Sequence, residues 1–251
     1  MIIAGRRVPA MASLVLWAIL WEIVGRADVT ILIPPLSSTL VRLVEIAGTE
    51  TFWNAIAITA RTFATGCTFA ILVGVPVGIL MGRIAILDRL LLPWVNTFIS
   101  APLSALVPVI MAIFGFGETT IVLTVVLFAI WIIILDARAG TRSISPSLVE
   151  MARVYGATRW QAFSKIYVFS ALPEILTGIR LGLLRAVKGV IIGQLLVSVV
   201  GFGQLFEIYS SNFLMEHMWA MLLVLFGLAF MLDTILGAIE RRVEYFAGSR
   251  N

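Results

Sequence analysis

Long apolar runs separated by short polar stretches dominate the pattern of this 251-residue chain. Six runs stand out, covering residues 8–25, 55–82, 90–114, 117–136, 171–200 and 216–239. Each is near or above the roughly 20 residues that an α-helix needs to cross about 30 Å of hydrocarbon. The runs lack the short alternation of barrel strands, and a segment in lipid must satisfy its own backbone hydrogen bonds. The pattern therefore predicts an all-α polytopic membrane protein with about six transmembrane helices.

The distribution of basic residues predicts the orientation of these helices. Short loops rich in Lys and Arg stay in the cytoplasm. With both termini in the cytoplasm, only Arg26 and Arg42 lie clearly outside, and the cytoplasmic side receives Arg6, Arg7, Arg83, Arg89, Arg138, Arg142, Arg153, Arg159, Lys165, Arg241, Arg242 and Arg250. Topology therefore explains the sequence pI of about 9.7, and the basic charge does not argue for a nucleic-acid partner.

The six apolar runs predict one transmembrane domain over residues 1–251, with a core at 55–245. The first run follows "GRR" as a signal peptide would, but it contains Glu22 and a poor cleavage site, so we expect a retained extra helix at about 8–25. After it, Pro34 and Pro35 break the backbone, and Ser37 is expected to cap a short external surface helix.

A polar segment at about residues 143–170 interrupts the apolar pattern. Ser147 and Glu150 have the spacing of a capping box, Gly156 suits a left-handed helix end, and Thr158 can cap a second short helix. Apolar residues recur at helical spacing, namely Leu148, Met151 and Tyr155, then Trp160, Phe163 and Tyr167. We predict a cytoplasmic helix-turn-helix, which either rests on lipid headgroups or docks into a groove of a cytoplasmic partner.

Polar residues inside the third run are candidates for a solute path. Asn96, Ser100 and Ser104 lie in a stretch interrupted by prolines, where freed backbone groups are tolerated beside other helices or a wet cavity. They either line a path or serve helix packing. The single cysteine, Cys67, is expected in the core.

Two basic residues lie deep in the fifth run. Arg185 and Lys188 are three positions apart and so share a helix face. Charges at membrane depth usually face a cavity or a partner, so this pair either attracts an anionic solute or neutralises Glu22, Asp136 or Asp233. His217, the only histidine, lies beside Glu216 without a second ligand nearby, and we expect neither a metal site nor catalytic residues in this chain.

The polar segment resembles the EAA loop of binding-protein-dependent ABC importer permeases. That motif is EAAxxxG, nine residues, then isoleucine and a downstream proline; here it is "EMARVYG" at 150–156, then Ile166 and Pro173. The segment is especially similar to permeases of the nitrate, sulfonate and taurine group, and the likeness covers about residues 30–245. Met151 replaces the first alanine of the motif, Phe169 replaces a proline, and Gln194 stands where many relatives have glutamate.

The resemblance implies a type I importer permease in the bacterial inner membrane. Two permease copies would form the path, two ATPase subunits would dock on the loop, and an external periplasmic or lipid-anchored solute-binding protein would deliver the solute. The coupling residues would be Glu150, Met151, Ala152, Tyr155, Gly156 and Trp160, with Gln194 a further candidate for the path. The chain has no GxxxxGK[ST] phosphate loop, so ATP and Mg are expected on the partner ATPase, and this chain is expected to bind no cofactor.

Two other classes of function remain open at this point. An ATP-independent transporter or channel would account for the apolar helices and the intramembrane charges, but not for the capped, glycine-turned loop. A membrane-embedded enzyme would require a cluster of His, Asp and Glu residues, and the chain has one histidine. The solute is not specified by the sequence; sulfonates, taurine, nitrate, aromatic carboxylates and vitamin precursors all suit the resembling group.

Overall fold

The computed structural model describes residues 2–3, 6–7, 10–27, 30–197 and 199–248, and nearly all of them are helical, which confirms the predicted fold class. The helices are α1 (Ala10–Arg26), α2 (Leu36–Ala47), α3 (Glu50–Arg83), α4 (Ala85–Ser100), α5 (Val107–Phe114), α6 (Glu118–Arg142), α7 (Pro146–Val154), α8 (Arg159–Ala162), α9 (Val168–Val197), α10 (Gly201–Ser211) and α11 (Met215–Gly248). A 3-10 turn (Leu103–Leu106) precedes α5, and a π-helical stretch (Phe163–Tyr167) joins α8 to α9. The two-residue strands β1 (Ile2–Ile3) and β2 (Arg6–Arg7) pair antiparallel.

Glycines on α3 allow it to pack closely against α6, and the residues that they face show the relative direction of the two helices. A Cβ added at Gly74 would lie 3.0 Å from Ile133 Cγ2, and one added at Gly82 would lie 2.6 Å from Thr141 Cβ. The same sequence offset separates both pairs, so α3 and α6 run parallel. Small residues at such positions let helix backbones approach closely in lipid.

Helix α9 packs along α6 in the opposite direction. A Cβ added at Gly178 would lie 2.6 Å from Asp136 Cβ, and one at Gly182 would lie 2.5 Å from Ile133 Cγ1. Because the contacts on α6 move backwards as those on α9 move forwards, the two helices are antiparallel. Helix α6 therefore lies between α3 and α9 at the centre of the bundle.

These directions define two ends of the bundle. Helices α3 and α6 both end at what we call the inner end, where α4, α7 and α9 begin. Asp88 in the first turn of α4 accepts a hydrogen bond of 2.9 Å from Arg138 Nη2 near the end of α6, which fixes this assignment. The opposite, outer end holds α2 and the first turn of α11, joined by Arg42 and Glu216.

The core follows α6 through the bundle. One buried cluster joins α3, α6 and α9 and consists of Cys67, Ala70, Ile121, Val125, Ala129, Ile133, Ala186, Val190 and Val197. A second, nearer the outer end, consists of Ile46, Phe52, Ala55, Phe202, Leu205, Ala220, Met221 and Leu225. Two of its members, Phe202 and Leu205, belong to α10, so this helix packs into the bundle. The predicted core position of Cys67 is confirmed.

The third apolar run, predicted at 90–114, is divided into two helices. Helix α4 ends at Ser100, and the pair formed by α4 and Leu103–Phe114 is bent by 99°. Ala101 is extended, with ψ of 149°, as the residue before a proline tends to be. Pro108 lies in the first turn of α5, where a missing N–H costs no helical hydrogen bond.

Three helices among the described residues are long and apolar enough to cross a membrane: Glu50–Arg83, Glu118–Arg142 and Met215–Ile235. Two bent pairs, Ala85–Ser100 with Leu103–Phe114 and Trp160–Val197 with Gly201–Ser211, raise the number to five if each is one span. Helix α1 has 17 residues, at the lower end of spanning lengths. The sixth crossing, predicted at 8–25, stays a prediction, and residues 8 and 9 lie outside the described part.

Candidate functional site

The first helix of the helix-turn-helix at the inner end, α7, begins two residues earlier than its sequence indicates. Ser145 is the N-cap of α7, and Pro146 is its first residue. The predicted capping box of Ser147 and Glu150 is therefore wrong, since Ser147 already lies inside the helix, with its Oγ 2.6 Å from Ser145 Oγ. Proline pre-sets the backbone angle of a first helical residue, and this preference decided the boundary.

Gly156 ends α7 in the left-handed conformation, as predicted, with φ of +76°. The Ala157 N–H donates to Ala152 O over 2.9 Å, and the Gly156 N–H donates to Arg153 O over 3.0 Å. This pair of bonds is a Schellman motif, which satisfies the last carbonyls of the helix. A Cβ added at Gly156 would meet nothing within 4 Å, so glycine is required here by its backbone angle and not by space.

Thr158 and Gln161 form the reciprocal capping box at the start of the second helix. Gln161 N–H donates to Thr158 Oγ1 over 3.2 Å, and Thr158 N–H donates to Gln161 Oε1 over 2.9 Å. The cap at Thr158 is confirmed, but the helix is not a separate short one. It passes through the π-helical stretch directly into α9. The side chain of Phe163, predicted on the apolar face, lies outside the described residues.

Helix α7 has two opposite faces. Met151 and Tyr155 lie on the outward face and are 50% and 84% exposed. At about 100° per residue, Val149, Glu150 and Arg153 lie on the opposite side, and all three line a cleft between α7 and the rest of the inner end. Glu150 therefore does not share the face of Met151 and Tyr155.

Two further predicted coupling residues differ in exposure. Trp160, in α8, is 72% exposed. Ala152 is only 6% exposed, so its small side chain is enclosed by this chain itself. Its carbonyl also accepts the bond from Ala157 that closes the turn. Coupling roles for these residues stay predictions.

An ionic cluster that sequence reasoning missed lies beside this loop. Asp88 is 6% exposed and accepts hydrogen bonds from both Arg138 and Arg142. The cluster joins the start of α4 to the last turn of α6, at the base of the helix-turn-helix. The sequence signal for this cluster is an acidic residue, Asp88, in the apolar stretch "AILDRLLLPW". The partners of Asp88 lie some fifty positions away in the sequence.

The polar residues predicted for the path occupy exposed positions in the single chain. Asn96 and Ser100 are four residues apart on α4 and so share a face. Ser104 lies in the 3-10 turn beyond the bend, and all three are exposed. Gln194 differs, since it is 1% exposed and its Nε2 donates to Thr59 Oγ1 over 2.8 Å. The structure therefore does not bring Gln194 to the surface of α4.

The acidic groups proposed as partners for the deep basic pair mostly have other partners. Glu22 accepts from Arg26 Nε at 2.6 Å and from Ser37, and Asp233 lies 3.7 Å from Arg180. Asp136 packs against Gly178 and interacts electrostatically with Arg185. Among the described residues, neither Arg185 nor Lys188 forms a salt bridge, and Lys188 is exposed.

At the outer end, Glu22 performs a role that its sequence position does not reveal. Its carboxylate accepts from the Ser37 N–H at 2.9 Å and from Ser37 Oγ at 2.8 Å, in the first turn of α2. Ser37 was predicted to cap this helix; instead α2 begins at Leu36, and Glu22 from α1 binds the free N–H.

Arg42 joins α2 to α11 at this end. Its Nε donates to Glu216 at 2.8 Å and its Nη1 to Glu45 at 2.7 Å. The hydrogen bond to Glu216, and then that to Glu45, raise the pKa of the Arg42 guanidinium above its usual value, so it stays charged. Nearby, the His217 ring lies 5.0 Å from the Tyr209 ring. Within the described ranges, no group of three His, Cys, Asp or Glu residues is placed to hold a metal ion.

Known proteins with similar sequences and folds agree with this arrangement. The taurine transport system permease protein TauC of Escherichia coli is 29% identical over 86% of this chain and 80% of its own length. The riboflavin transport system permease protein RibX of Chloroflexus aurantiacus is 32% identical over 62% of this chain and 58% of its own length. The inward-facing MetNI methionine ABC transporter superposes with a TM-score of 0.60 over 77% of this chain and 94% of its own, at 24% identity, which shows a shared fold.

A family model described as binding-protein-dependent transport system inner membrane component matches residues 74–245. The match covers α7, the turn at Gly156 and the whole of α9. The resemblance predicted from the loop is thereby confirmed, and the family is described as a transport component. The chain belongs to the family of binding-protein-dependent transport system inner membrane components, the permease subunits of ABC importers.

Proposed function

We propose that this permease conducts a small anionic solute, of the sulfonate, taurine, nitrate or aromatic carboxylate type, as one of two copies in the importer. The inner end faces the cytoplasm, so both chain termini are cytoplasmic. Two ATPase subunits, which hold ATP and Mg, dock on the helix-turn-helix, and a binding protein delivers the solute to the outer end. The observation that carries the proposal is the helix-turn-helix, whose apolar side chains are exposed while the turn at Gly156 and the cap at Thr158 satisfy the backbone between its two helices.

The connection of this loop to α9 provides a route for force. From the cap at Thr158, the helix continues through Phe163–Tyr167 into α9 without a loop. Helix α9 packs tightly on α6 through Gly178 and Gly182, so neither helix can slide past the other without separating. A displacement of the docked loop therefore moves α9 and α6 together. We expect such coupling in an ATP-driven importer and not in an ATP-independent transporter or channel.

The docking proposal is tested by purifying the full chain from its native membranes with associated subunits. Tyr155→Ser should reduce the amount of copurified ATPase subunit, because Tyr155 is 84% exposed on the proposed docking face. The matched control is Val44→Ser, which removes an apolar side chain that is 73% exposed on α2 at the outer end. Absence of any ATPase subunit from the wild-type preparation, or equal binding by all three proteins, would contradict docking on this loop.

The charge of the solute is tested at the deep basic pair. Glu22 and Asp233 already have partners, so Lys188→Met should leave assembly near normal and reduce uptake of taurine and nitrate, used as probes, per assembled complex. Arg185→Met should reduce uptake similarly and also lower assembly, because Asp136 loses its nearby positive charge. Arg89→Met, on an exposed site at the inner end, is the control. Full uptake by both variants would exclude an anion path at these residues.

A further inference from the structure

A cleft of about 520 Å³ lies between α7 and the ends of the transmembrane helices. Its described lining includes three arginines from three helices: Arg83 ends α3, Arg142 ends α6, and Arg153 belongs to α7. Glu150 is the one acidic side chain among the described lining residues. The cleft is thus a basic cavity formed by segments distant in sequence, and of the proposed coupling residues only Glu150 belongs to its described lining.

Two of the three arginines are held in place by the chain around them. The Arg83 guanidinium carbon lies 4.4 Å from the centre of the Tyr167 ring, an arrangement typical of cation–π stacking. Arg142 donates to Asp88, so part of its charge is already compensated. Arg153 is exposed on the cleft side of α7. Planar guanidinium groups bind phosphate oxygens through two parallel hydrogen bonds, which makes arginine clusters suited to phosphate.

The position and the other lining of the cleft indicate the source of such a phosphate. Arg83 and Arg142 are the last residues of α3 and α6, where the apolar spans end and lipid headgroups begin. Met81, Ile144 and Val149 add apolar walls beside the arginines. A cavity that is both cationic and apolar at this depth matches an anionic amphiphile better than a free inorganic anion.

We propose that this cleft binds the phosphate headgroup of an anionic phospholipid, held by Arg153 with Arg83 and Arg142 contributing. The volume lies within the range of small-molecule sites. Met151 and Tyr155 face away from the cleft, so the lipid and a docked ATPase can be bound together. Lipid headgroups occur in both leaflets, and this inference therefore does not depend on the proposed orientation or solute.

The test measures phosphatidylglycerol bound by the full chain, purified in mild detergent, by native mass spectrometry, with phosphatidylcholine as the neutral comparison. Arg153→Gln should lower phosphatidylglycerol binding roughly tenfold, since it removes one charge-assisted contact. Glu150→Gln should raise it, because a carboxylate in the lining repels phosphate. The charge-matched control Arg89→Gln, outside the cleft lining, should stay within about twofold of wild type.

Opposite shifts in the Arg153 and Glu150 variants, with phosphatidylcholine binding unchanged, would support the lipid site. Equal losses in Arg153→Gln and Arg89→Gln would overturn it, since the effect would then be general surface charge. Displacement of phosphatidylglycerol by inorganic phosphate at comparable concentration would also overturn it and assign the cleft to a soluble anion. None of these measurements requires transport, so their failure is distinguishable from failure of the proposed function.

Discussion

Two extramembrane segments of similar length are stabilised in different ways. The outer loop, residues 30–47, is held by side chains from other helices: Trp21 Nε1 donates to Pro34 O at 3.0 Å, and Trp219 Nε1 donates to Leu32 O at 2.8 Å. The inner loop, residues 146–167, is held mainly by its own backbone and caps, such as the bond from Ala157 to Ala152, and the ring of its last residue, Tyr167, stacks with Arg83 of α3. The outer loop is thus fixed by the bundle, whereas the inner loop holds its own shape.

This difference predicts different roles for the two loops. A segment whose polar groups are bound by the bundle cannot move without breaking those bonds, so the outer loop belongs to the fold. A self-capped segment keeps its shape while Tyr155 and Trp160 stay exposed. Preorganisation of this kind lowers the entropy cost of docking. The two loops therefore lead to opposite expectations for substitution: loss of stability at the outer loop, and loss of coupling at the inner loop.

The largest effect is expected for Gly156→Val in the inner loop. Valine at φ of +76° costs about 2–3 kcal/mol, although its side chain would meet no neighbouring atom. The turn would be distorted locally, and uptake per assembled complex should fall more than about tenfold. Uptake per assembled complex is measured together with solute-stimulated ATPase activity. The yield of folded permease, measured in parallel, should stay near normal.

Gly227→Val is the matched control, because a Cβ there also meets nothing within 4 Å and its backbone is helical. Uptake by this variant should be close to wild type. Normal uptake by Gly156→Val would remove the left-handed turn from the mechanism, and loss of folded protein would show that the inner loop is as much a part of the fold as the outer loop.

The sequence predicted the inner loop better than the outer one for a physical reason. The turn at Gly156 and the cap at Thr158 depend on bonds spanning a few residues, and such signals are visible locally. The bond from Ser37 to Glu22 joins residues fifteen apart on different helices, and the Asp88 cluster joins residues some fifty apart. The spacing of apolar residues does not show which distant polar side chains will be bonded to each other. They depend on helix directions that emerge only from packing.

The same limit explains the errors within otherwise correct elements. The apolar run at 90–114 contains no charged residue, yet Pro102 and the extended Ala101 turn it by 99°. Hydropathy indicates which segments avoid water, but not where the chain changes direction within them. Gln194 was grouped with path residues because it stands where many relatives of the resembling family have glutamate, but its hydroxyl partner Thr59 comes from α3. A buried polar side chain with an internal partner is indistinguishable by sequence from one that faces a solute.

A second substitution tests the outer loop through the close approach of α1. A Cβ added at Gly25 would lie 2.5 Å from the Cα and N atoms of Pro35, so even alanine forces backbone apart. Gly25→Ala should lower the free energy of unfolding by about 2 kcal/mol. Denaturant titration in mixed micelles measures this, with Gly227→Ala as the control in open space. Equal stability of both variants would mean that α1 is not fixed to the outer loop.

The smallest effect is expected for the indole bond that ties α11 to the outer loop. Trp219→Phe keeps most of the ring packing against Trp21, whose ring centre is 5.1 Å away, but removes the donor to Leu32 O. The free energy of unfolding should fall by about 1 kcal/mol, the net value of one hydrogen bond. Trp131→Phe is the control: its buried indole N–H finds no acceptor among the described residues, so removal of that N–H should cost no hydrogen bond. If Trp131→Phe destabilised the protein as much as Trp219→Phe, loss of ring volume would explain both changes, and the bond to Leu32 would not be what fixes the outer loop.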